Sequence, residues 1–339
     1  MVVSDSGEHP YDYVLLACGS KHAYFGHDAW EVHAPGLKTL EQATEIRRRV
    51  LTAFEEAEKE ASPERKRALL TFVIVGGGPT GVELAGAIGE MSRFTLARDF
   101  RHIDPTLARV ILVEAGPRIL PSFDKSLAAR AARDLESLGV QIWSQSLVTN
   151  IDAEGLDVGT ERLLCRTVLW AAAVKASSLG QRLGADLDRQ GRVIVGPDLS
   201  LAGHREVFIA GDLAHVKGPD GNPLPGMAPA ALQQGRYVAR RIRAMARGAS
   251  YPDFRFRDKG QMATIGRRRA ILQSGGIKFG GFAAWLSWLL VHIYYLTGFR
   301  SRMFVVLQWA WSYFSYGRGA RLIVGKAWRF YADDDSMKP

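Results

Sequence analysis

Residues 72–88 read Phe-Val-Ile-Val, then Gly-Gly-Gly-Pro-Thr-Gly, then Val-Glu-Leu-Ala-Gly-Ala-Ile. The first four are apolar and mostly β-branched, which is typical of a buried parallel strand, and the last seven have helical composition. Between them, the glycines at 76, 78 and 81 have the spacing of a dinucleotide-binding turn. An ordinary strand–helix turn is the alternative, but both flanks match the binding pattern. The stretch therefore predicts a Rossmann-like α/β domain that binds a dinucleotide.

Each glycine of this turn has a distinct expected role. Gly76 permits the tight turn, Gly78 lets the backbone approach a pyrophosphate, and Gly81 lets the helix pack close to the strand. The helix N-terminus presents unpaired N–H groups and the positive end of its dipole to the phosphates. The turn is therefore the predicted pyrophosphate site.

A second apolar strand, residues 109–113, ends at Glu114. An acid at this point accepts hydrogen bonds from an adenosine ribose and repels a 2′-phosphate, so it favours NADH over NADPH. In dinucleotide-binding domains the acid usually lies about 20 residues after the glycines, and Glu114 lies farther away. Residues 91–107 account for the difference as an apparent insertion. A solvated strand end is the alternative interpretation of Glu114.

Length and cysteine content limit the function classes. A chain of 339 residues predicts two or three domains with a sizeable core. Its two cysteines, Cys18 and Cys165, are far apart and form no C-x-x-C, which excludes a dithiol redox centre built within the chain. This usage suits a reducing compartment. The N-terminus lacks the basic and apolar regions of a signal peptide.

The net charge of +9 is concentrated near the C-terminus, where residues 255–331 carry 13 Lys or Arg, one acid and five of the eight tryptophans. Basic charge with interleaved aromatics fits nucleic acid or an anionic membrane surface. The nearly continuous apolar runs 282–296 and 303–314 favour the membrane. Because a spanning helix needs about 20 apolar residues, the runs predict elements lying in the interface. A buried hairpin or a dimer interface is the alternative.

Two further strands end in small or acidic residues suited to a cofactor. Residues 12–19 end in Ala-Cys-Gly, and residues 207–212 end in Ala-Gly-Asp, where the acid can bind polyol hydroxyls. Helices are expected over 39–66, over 124–138, and over 236–247 after a Gly/Pro-rich turn at 225–235. Residues 171–176 are expected to form a loop of small residues.

Taken together, these segments resemble the type II NADH:quinone oxidoreductases, which are single-subunit, non-proton-pumping respiratory flavoenzymes. The resemblance covers nearly the whole chain and is most specific at 258–267, 285–292 and 318–323. It implies FAD and NADH as cofactors, with hydride passing from NADH to FAD and two electrons then reducing a membrane quinone. It also implies peripheral attachment to the cytoplasmic face of a bacterial-type inner membrane. Nucleic acid is not expected as a partner, and a homodimer stays open.

The resemblance also implies site residues. The family often has Ala-Gln where this chain has Ala228-Pro229. The implied residues are, for NADH, Gly76, Gly78, Pro79, Thr80, Gly81, Glu114, Ala172 and Val174; for FAD, Ala17, Gly19, Gly211, Asp212 and Ala231; and, for catalysis, Glu83, Gln233 and Gln234. No metal site is expected.

The implied fold is α/β, with two Rossmann-like dinucleotide-binding domains and a C-terminal membrane-associating segment. The expected FAD domain is 1–70 with 190–250, the NADH domain is 71–189, and the membrane-anchoring region is 251–339. The family begins with a strand and glycine turn for the FAD pyrophosphate, and none precedes Tyr11. We therefore expect this chain alone to bind NADH, to hold FAD weakly or not at all, and to have little quinone reductase activity. A soluble FAD-dependent reductase of a protein acceptor and an inactive nucleotide-binding remnant are the alternative functions.

Overall fold

A computed structural model of the protein describes residues 1–218, 221–296, 299–315 and 323. The tail motif at 318–322 and Trp328 lie outside the described residues. The chain forms two compact units. The first unit comprises residues 1–23 and 173–259, and the second comprises residues 24–172 and 260–339.

The strands are short and distributed over both units. They are β1 (Val2–Ser4), β2 (Gly7–His9), β3 (Val14–Leu16), β4 (Ser20–His22), β5 (Thr71–Val75), β6 (Arg109–Val113), β7 (Val140–Trp143), β8 (Val148–Ile151), β9 (Gly155–Val158), β10 (Glu161–Leu164), β11 (Thr167–Trp170), β12 (Val174–Ala176), β13 (Val193–Ile194), β14 (Ser200–Leu201), β15 (His204–Ile209), β16 (Ala214–His215), β17 (Gln261–Gly266), β18 (Arg269–Ser274) and β19 (Ile277–Gly280).

The α-helices flank these strands, and short 3₁₀ or π turns occur at 28–32, 91–95, 105–107, 178–183 and 211–213. The α-helices are α1 (Leu40–Lys59), α2 (Pro63–Leu69), α3 (Pro79–Glu90), α4 (Lys125–Ser137), α5 (Ala228–Met245), α6 (Phe282–Tyr295) and α7 (Phe299–Ser315).

The second unit is built on a parallel sheet with the order β11-β5-β6-β7. All five residues of β5 are buried, because the sheet has side chains packed on both faces. Val75 pairs with Val113 on one side and Trp170 on the other, so three strands end at the same level. The prediction of a Rossmann-like α/β domain is confirmed, with α3 following β5 directly.

Helix α1 belongs to the core of this second unit. One face of it, including Ile46, Val50 and Phe54, packs in the same apolar cluster as Phe72 and Val82. The sequence predicts residues 24–70 in one domain with 1–23 and 190–250, whereas in the structure they belong to the second unit. The reason is that this sheet buries the apolar stripe of α1. The spacing of apolar residues in the sequence predicts the stripe but does not show which sheet covers it.

The single helix expected over 39–66 is two helices. Thr39 and Gln42 form a capping box at the start of α1. A second start follows at Ser62, whose hydroxyl accepts a hydrogen bond from the N–H of Arg65, with Pro63 in the first turn of α2. Because proline fits a first turn but not a helix interior, the chain breaks here.

The first unit contains the sheet β14-β15-β3, in which β15 and β3 are parallel. Phe208, Leu213 and Val238 lie in its apolar core. Helix α5 begins at Ala228, so the expected start at Arg236 is wrong by two turns. Pro229 is accommodated in the first turn, where no N–H is needed. The expected loop at 171–176 also contains a short strand, β12, which pairs with β4.

The end of the second unit is an antiparallel sheet, β17-β18-β19, followed by α6 and α7. These helices coincide with the two apolar runs of the sequence. Within the described ranges, neither they nor any other helix has the length and apolar character required to cross a bilayer.

Candidate functional site

The turn between β5 and α3 needs glycine at its two ends. Gly76 has φ +110°, and a Cβ there would lie 2.5 Å from the Cα of Ala172. A Cβ at Gly81 would overlap the carbonyl oxygen of Gly76. A side chain at Gly76 would therefore collide with the backbone that follows β11, and a side chain at Gly81 would push α3 away from the end of β5.

The middle glycine of the turn, Gly78, lies in a more open environment. Gly78 is extended, and no protein atom lies within 4 Å of the position that its Cβ would occupy. It is the N-cap of α3, and Pro79 follows in the first turn. The N-terminus of α3 therefore presents N–H groups beside open space, which fits a pyrophosphate.

Glu114 is hydrogen-bonded to this turn. One carboxylate oxygen accepts from the N–H of Gly77 and the other from the N–H of Gly116, each at 2.6 Å. The side chain is half-buried, so it is more than a solvated strand end. Glu114, although it lies far beyond the glycines in the sequence, thus contacts the glycine turn, because β6 lies next to β5 in the sheet.

Glu83 lies in the first turns of α3 and contacts the β17 strand. Its carboxylate accepts a 3.2 Å hydrogen bond from the N–H of Thr264. Burial raises the pKa of Glu83 above its ordinary value, and the Thr264 hydrogen bond opposes that rise only in part. A raised pKa favours the protonated form of this carboxyl group.

Sequence reasoning missed two residues that share this helix face. A Cβ at Gly86 would overlap the carbonyl oxygen of Ile265, and Glu90 accepts a 2.9 Å hydrogen bond from the N–H of Arg267. Residues 83, 86 and 90 follow the i, i+3, i+7 spacing of one face, which is the signal that could have found them. This face holds α3 against the backbone of β17.

In the first unit, β3 and β15 end side by side, with Leu16 opposite Ile209. The residues that follow, 17–19 and 210–212, therefore lie at one sheet edge. Gly19 and Gly211 both have left-handed φ values, +67° and +73°, and no protein atom approaches a Cβ position at Gly19. Open space beside a glycine and an acid at a parallel sheet edge fits a nucleotide cofactor.

Asp212 is held in place at this edge. Its carboxylate accepts a 2.7 Å hydrogen bond from the hydroxyl of Ser20. A Cβ at Gly226 would lie 3.1 Å from its other oxygen, so the loop passes close above it. A short carboxylate in this place can accept hydrogen bonds from polyol hydroxyls.

The two glutamines of α5 are bound to the protein itself. Gln234 is buried, and its amide oxygen accepts a 2.6 Å hydrogen bond from the N–H of Gly211. Gln233 exchanges two 3.0 Å hydrogen bonds with the backbone of Arg257. The methyl group of Ala231 lies 3.6 Å from a Cβ position at Gly211. Gln234 and Ala231 therefore fix Gly211 before Asp212, whereas Gln233 joins α5 to the backbone at Arg257.

A cluster around Asp188 supports the loop above this edge and was not found from the sequence. Its carboxylate lies 2.7 Å from Nε of Arg192 and 2.9 Å from Nδ1 of His215. Arg192 also donates a 3.0 Å hydrogen bond to the carbonyl of Leu224. Burial alone would raise the pKa of Asp188, but the hydrogen bonds from His215 and Arg192 lower it to about 2.

The remaining predicted residues lie in both units. Ala172 lies against Gly76 in the second unit, and Val174 is in β12 of the first unit.

Cys165 is buried, which raises the pKa of its thiol to about 12 and makes it unreactive. In the part of the chain that the structure describes, no group of His, Cys, Asp or Glu could hold a metal ion.

Known proteins share the sequence and the fold of this chain. A family model described as pyridine nucleotide-disulphide oxidoreductase matches residues 2–235. Two type II NADH:quinone oxidoreductases of Mycobacterium tuberculosis, Ndh and NdhA, are 44% and 41% identical; this chain covers 68% and 69% of them, with 91% and 94% of its own length.

A solved NDH2 structure from Plasmodium falciparum, in complex with NADH, has the same fold. The TM-score is 0.85 at 16% identity, over 94% of this chain and 81% of that one. The family match and the sequence identity to the mycobacterial enzymes define the family of the chain more specifically than the shared fold does. The chain belongs to the pyridine nucleotide-disulphide oxidoreductases and, within them, to the type II NADH:quinone oxidoreductases.

Proposed function

We propose that the protein is an FAD-dependent, non-proton-pumping NADH:quinone oxidoreductase. The observation that carries the proposal is the glycine turn of the second unit, with open space at Gly78 and the Glu114 carboxylate bonded to Gly77. When bound, FAD accepts hydride from NADH and passes two electrons to a quinone. The protein supplies binding, orientation and proton control.

NADH binding is assigned to the second unit. The N–H groups of Gly78, Thr80 and Gly81 at the start of α3 bind the pyrophosphate, since Pro79 has no N–H. Pro79 and Thr80 form the first turn, and Ala172 borders Gly76. Glu114 accepts from the adenosine ribose and repels a 2′-phosphate, so NADH is preferred over NADPH.

FAD binding is assigned to the sheet edge of the first unit. Ala17, Gly19 and Gly211 provide backbone without bulky side chains, and Asp212 binds hydroxyls of the ribityl chain. Gln234 and Ala231 hold Gly211 in its left-handed conformation. We thus propose that the first unit is the FAD-binding domain and that residues 24–172 form the NADH-binding domain.

Glu83 of the second unit, and Gln233 and Gln234 of the first, are the residues proposed to take part in catalysis. Glu83 can hold and release a proton, because burial raises the pKa of its carboxyl. Quinone reduction consumes protons as well as electrons, so such a group is useful to it. Gln233 and Gln234 are assigned to the quinone side of the flavin by the family resemblance, and their hydrogen bonds fix the start of α5.

Helices α6 and α7 are the proposed membrane-binding region, at the cytoplasmic face of the inner membrane. Several of their large apolar side chains are exposed, with Leu290 and Leu307 each 60% and Phe304 61% exposed. Exposed apolar surface of this kind marks an interaction site, and the surrounding charge is positive. A homodimer through the same helices is the alternative use of this surface.

The reaction is tested with flavin-loaded protein, by following NADH oxidation with a soluble quinone as acceptor. We expect turnover with NADH, reduced at least about tenfold in the variant Gly78→Ala, whose side chain enters the pyrophosphate space. Equal turnover of the two proteins would contradict the assignment of the turn. Reduction of a protein disulfide without quinone reduction would favour the alternative of a soluble reductase.

Membrane attachment is tested by flotation with liposomes containing anionic lipid. We expect the double variant Leu290→Asp/Leu307→Asp to float less than the wild type, and Leu164→Asp, which changes an exposed leucine of β10, to float normally. High salt should weaken binding without abolishing it, since only the charge contribution is screened. Unchanged flotation together with loss of a dimer in sedimentation would assign the helices to dimerisation.

A further inference from the structure

Residues 24–27 form a tight turn in the second unit with an unusual backbone. The N–H of His27 donates a 3.0 Å hydrogen bond to the carbonyl oxygen of Tyr24. The two residues between them both have positive φ values, +53° at Phe25 and +93° at Gly26. Turns of this kind favour asparagine or glycine at both central positions. Phenylalanine is strained at such a φ, because its Cβ crowds the following carbonyl oxygen.

The residues around Phe25 are firmly packed, so the strain does not belong to a loose loop. The Tyr24 hydroxyl donates a 2.8 Å hydrogen bond to the carbonyl oxygen of Ala34. The Tyr24 ring lies 4.9 Å from that of Trp170, and the Trp30 ring lies 6.0 Å from the same indole. All three rings are buried. These neighbours hold the turn in place.

The side chain of Phe25 contributes little to this packing. It is 70% exposed, and its ring meets that of Trp170 only edge-on, at 6.0 Å between centroids. Because Tyr24 and Trp30 also pack against Trp170, Phe25 supplies only part of its cover. Strained backbone conformations cluster at active sites and ligand-binding segments, where the strain places a group that the function needs. Packing alone therefore does not account for an aromatic ring at position 25.

Phe25 lies at the same end of the parallel sheet as the glycine turn. Trp170 is the last residue of β11 and pairs with Val75, which directly precedes Gly76. The chain that follows β11 then passes close to Gly76. Glu114 follows β6, on the other side of β5. The glycine turn is thus flanked by Glu114 on one side and by the end of β11, with Phe25 beside it, on the other.

We propose that the ring of Phe25 contacts the nicotinamide half of NADH and contributes to its recognition. The inference rests on the proposed function, in which Glu114 binds the adenosine ribose and the glycine turn binds the pyrophosphate. A dinucleotide held in that way extends past the turn towards the end of β11. An exposed aromatic ring there offers a face or an edge to the nicotinamide ring. The proposal deepens the assigned function by adding a specificity residue that belongs to no glycine or acid motif.

The test measures binding to the full-length protein by isothermal titration calorimetry. One probe is the redox-inert tetrahydro analogue of NADH, and the other is ADP-ribose, which has the adenosine and pyrophosphate but no nicotinamide. The variant Phe25→Asn removes the ring and introduces a residue that tolerates a positive φ. We expect its Kd for the NADH analogue to rise about fivefold. Its Kd for ADP-ribose should stay within about twofold of the wild-type value.

Two further variants are the controls. Phe25→Tyr keeps the aromatic ring and should bind both probes like the wild type. Leu107→Asn removes an apolar side chain that is 76% exposed just before β6, at the opposite end of the same sheet, and should leave both affinities unchanged. Thermal unfolding is the second measurement. The midpoint of Phe25→Asn should equal or exceed that of the wild type, because backbone strain is released.

Equally tight binding of the NADH analogue by Phe25→Asn and the wild type would overturn the role of Phe25 and leave the glycine-turn site intact. An equal loss for both probes, or a lowered unfolding midpoint, would show that Phe25 supports the structure of the turn and would reject the proposal. Weaker binding of the analogue by Leu107→Asn would show that the effect is not specific to the end of β11. A wild type that binds neither probe would contradict the nucleotide site itself, and the proposal with it.

Discussion

The carboxylate of Glu114 accepts a 2.6 Å hydrogen bond from the backbone N–H of Gly77, in the middle of the glycine turn. Its second oxygen accepts from the N–H of Gly116 at the same distance. The acid at the end of β6 thus fixes the conformation of the turn at the end of β5. One residue therefore holds the glycine turn in place and is also the residue to which we assign the nucleotide preference.

Replacing Glu114 with Gln removes its charge and one of its two acceptor oxygens. We expect kcat/KM for NADH to fall about tenfold, because one N–H bond is lost and the ribose contact weakens. The value for NADPH should fall less or rise, since repulsion of the 2′-phosphate disappears. Steady-state kinetics with both nucleotides measure the ratio, with Glu161→Gln on exposed β10 as the control. An unchanged NADPH/NADH ratio would contradict the role assigned to Glu114.

Two glycines of the turn should respond differently to alanine. Gly81→Ala places a methyl group against the carbonyl oxygen of Gly76, so we expect a loss of about 2 kcal/mol or more in the free energy of unfolding. At Gly78 the same change meets no protein atom, and its φ of −72° suits alanine. The Gly78→Ala variant should therefore unfold like the wild type but bind NADH at least about tenfold more weakly.

Thermal unfolding and NADH titration of the two proteins separate these effects. A destabilised Gly78→Ala protein would show that this glycine has a structural role. Normal NADH affinity in that variant would show that the pyrophosphate lies elsewhere.

The sequence predicted the elements whose pattern is local. The strand, glycine turn and helix of residues 72–88 are local, and β5, the turn and α3 appear as expected. Helix α1 was correctly predicted as amphipathic, but its partner was not, because a stripe such as Ile46 and Val50 does not specify which sheet covers it. The start of α5 was misplaced because the Pro229 region was interpreted as a turn, although proline is also common in a first helical turn.

The supporting residues of the site depended on long-range contacts. Asp188 and His215 are 27 positions apart, and Glu90 and Arg267 are 177 apart. No periodicity or motif spacing connects such pairs. Ser20 likewise reaches Asp212 only because β3 and β15 are neighbours in the first unit. The sequence therefore predicted the residues that belong to a motif. It did not predict the residues that hydrogen-bond to them and fix their positions.

Replacing Glu83 with Gln separates its proton from its hydrogen bond. The amide oxygen can still accept from the N–H of Thr264, whereas the titrating proton is lost. Burial raises the folded-state pKa of Glu83, so its contribution to stability is present at low pH and lost as pH rises through that pKa. The Gln variant should thus be as stable as the wild type or more stable at pH 8.

Turnover with quinone should fall in Glu83→Gln by at least about tenfold, because the residue no longer holds a proton. Glu90→Gln is the control and should keep its turnover, since Glu90 lies on the same face of α3 and bonds to the N–H of Arg267, just after β17. The measurements are kcat against pH and the midpoint of thermal unfolding. Full turnover in Glu83→Gln, with an unaltered pH profile, would remove Glu83 from the residues proposed to take part in catalysis.

Replacing Asp188 with Asn should change the acid stability of the first unit. In the folded protein, hydrogen bonds from His215 and Arg192 outweigh burial and lower the pKa of Asp188 to about 2. Because this pKa lies below the unfolded value of about 3.9, the stabilisation is complete above roughly pH 4 and is lost as pH falls towards 2. The difference corresponds to about 2 kcal/mol for this largely buried side chain.

We therefore expect Asp188→Asn to lower the free energy of unfolding at pH 7 by about 2 kcal/mol and by progressively less as the pH falls below 4. Asp186→Asn, which changes an exposed neighbour, should follow the wild-type curve. Urea unfolding between pH 3 and pH 7 makes the comparison. The loop at Leu224 depends on Arg192, which Asp188 orients, so flavin affinity at pH 7 should fall with stability. A constant stability difference across the whole pH range would show that the Asp188 carboxylate is not the titrating group.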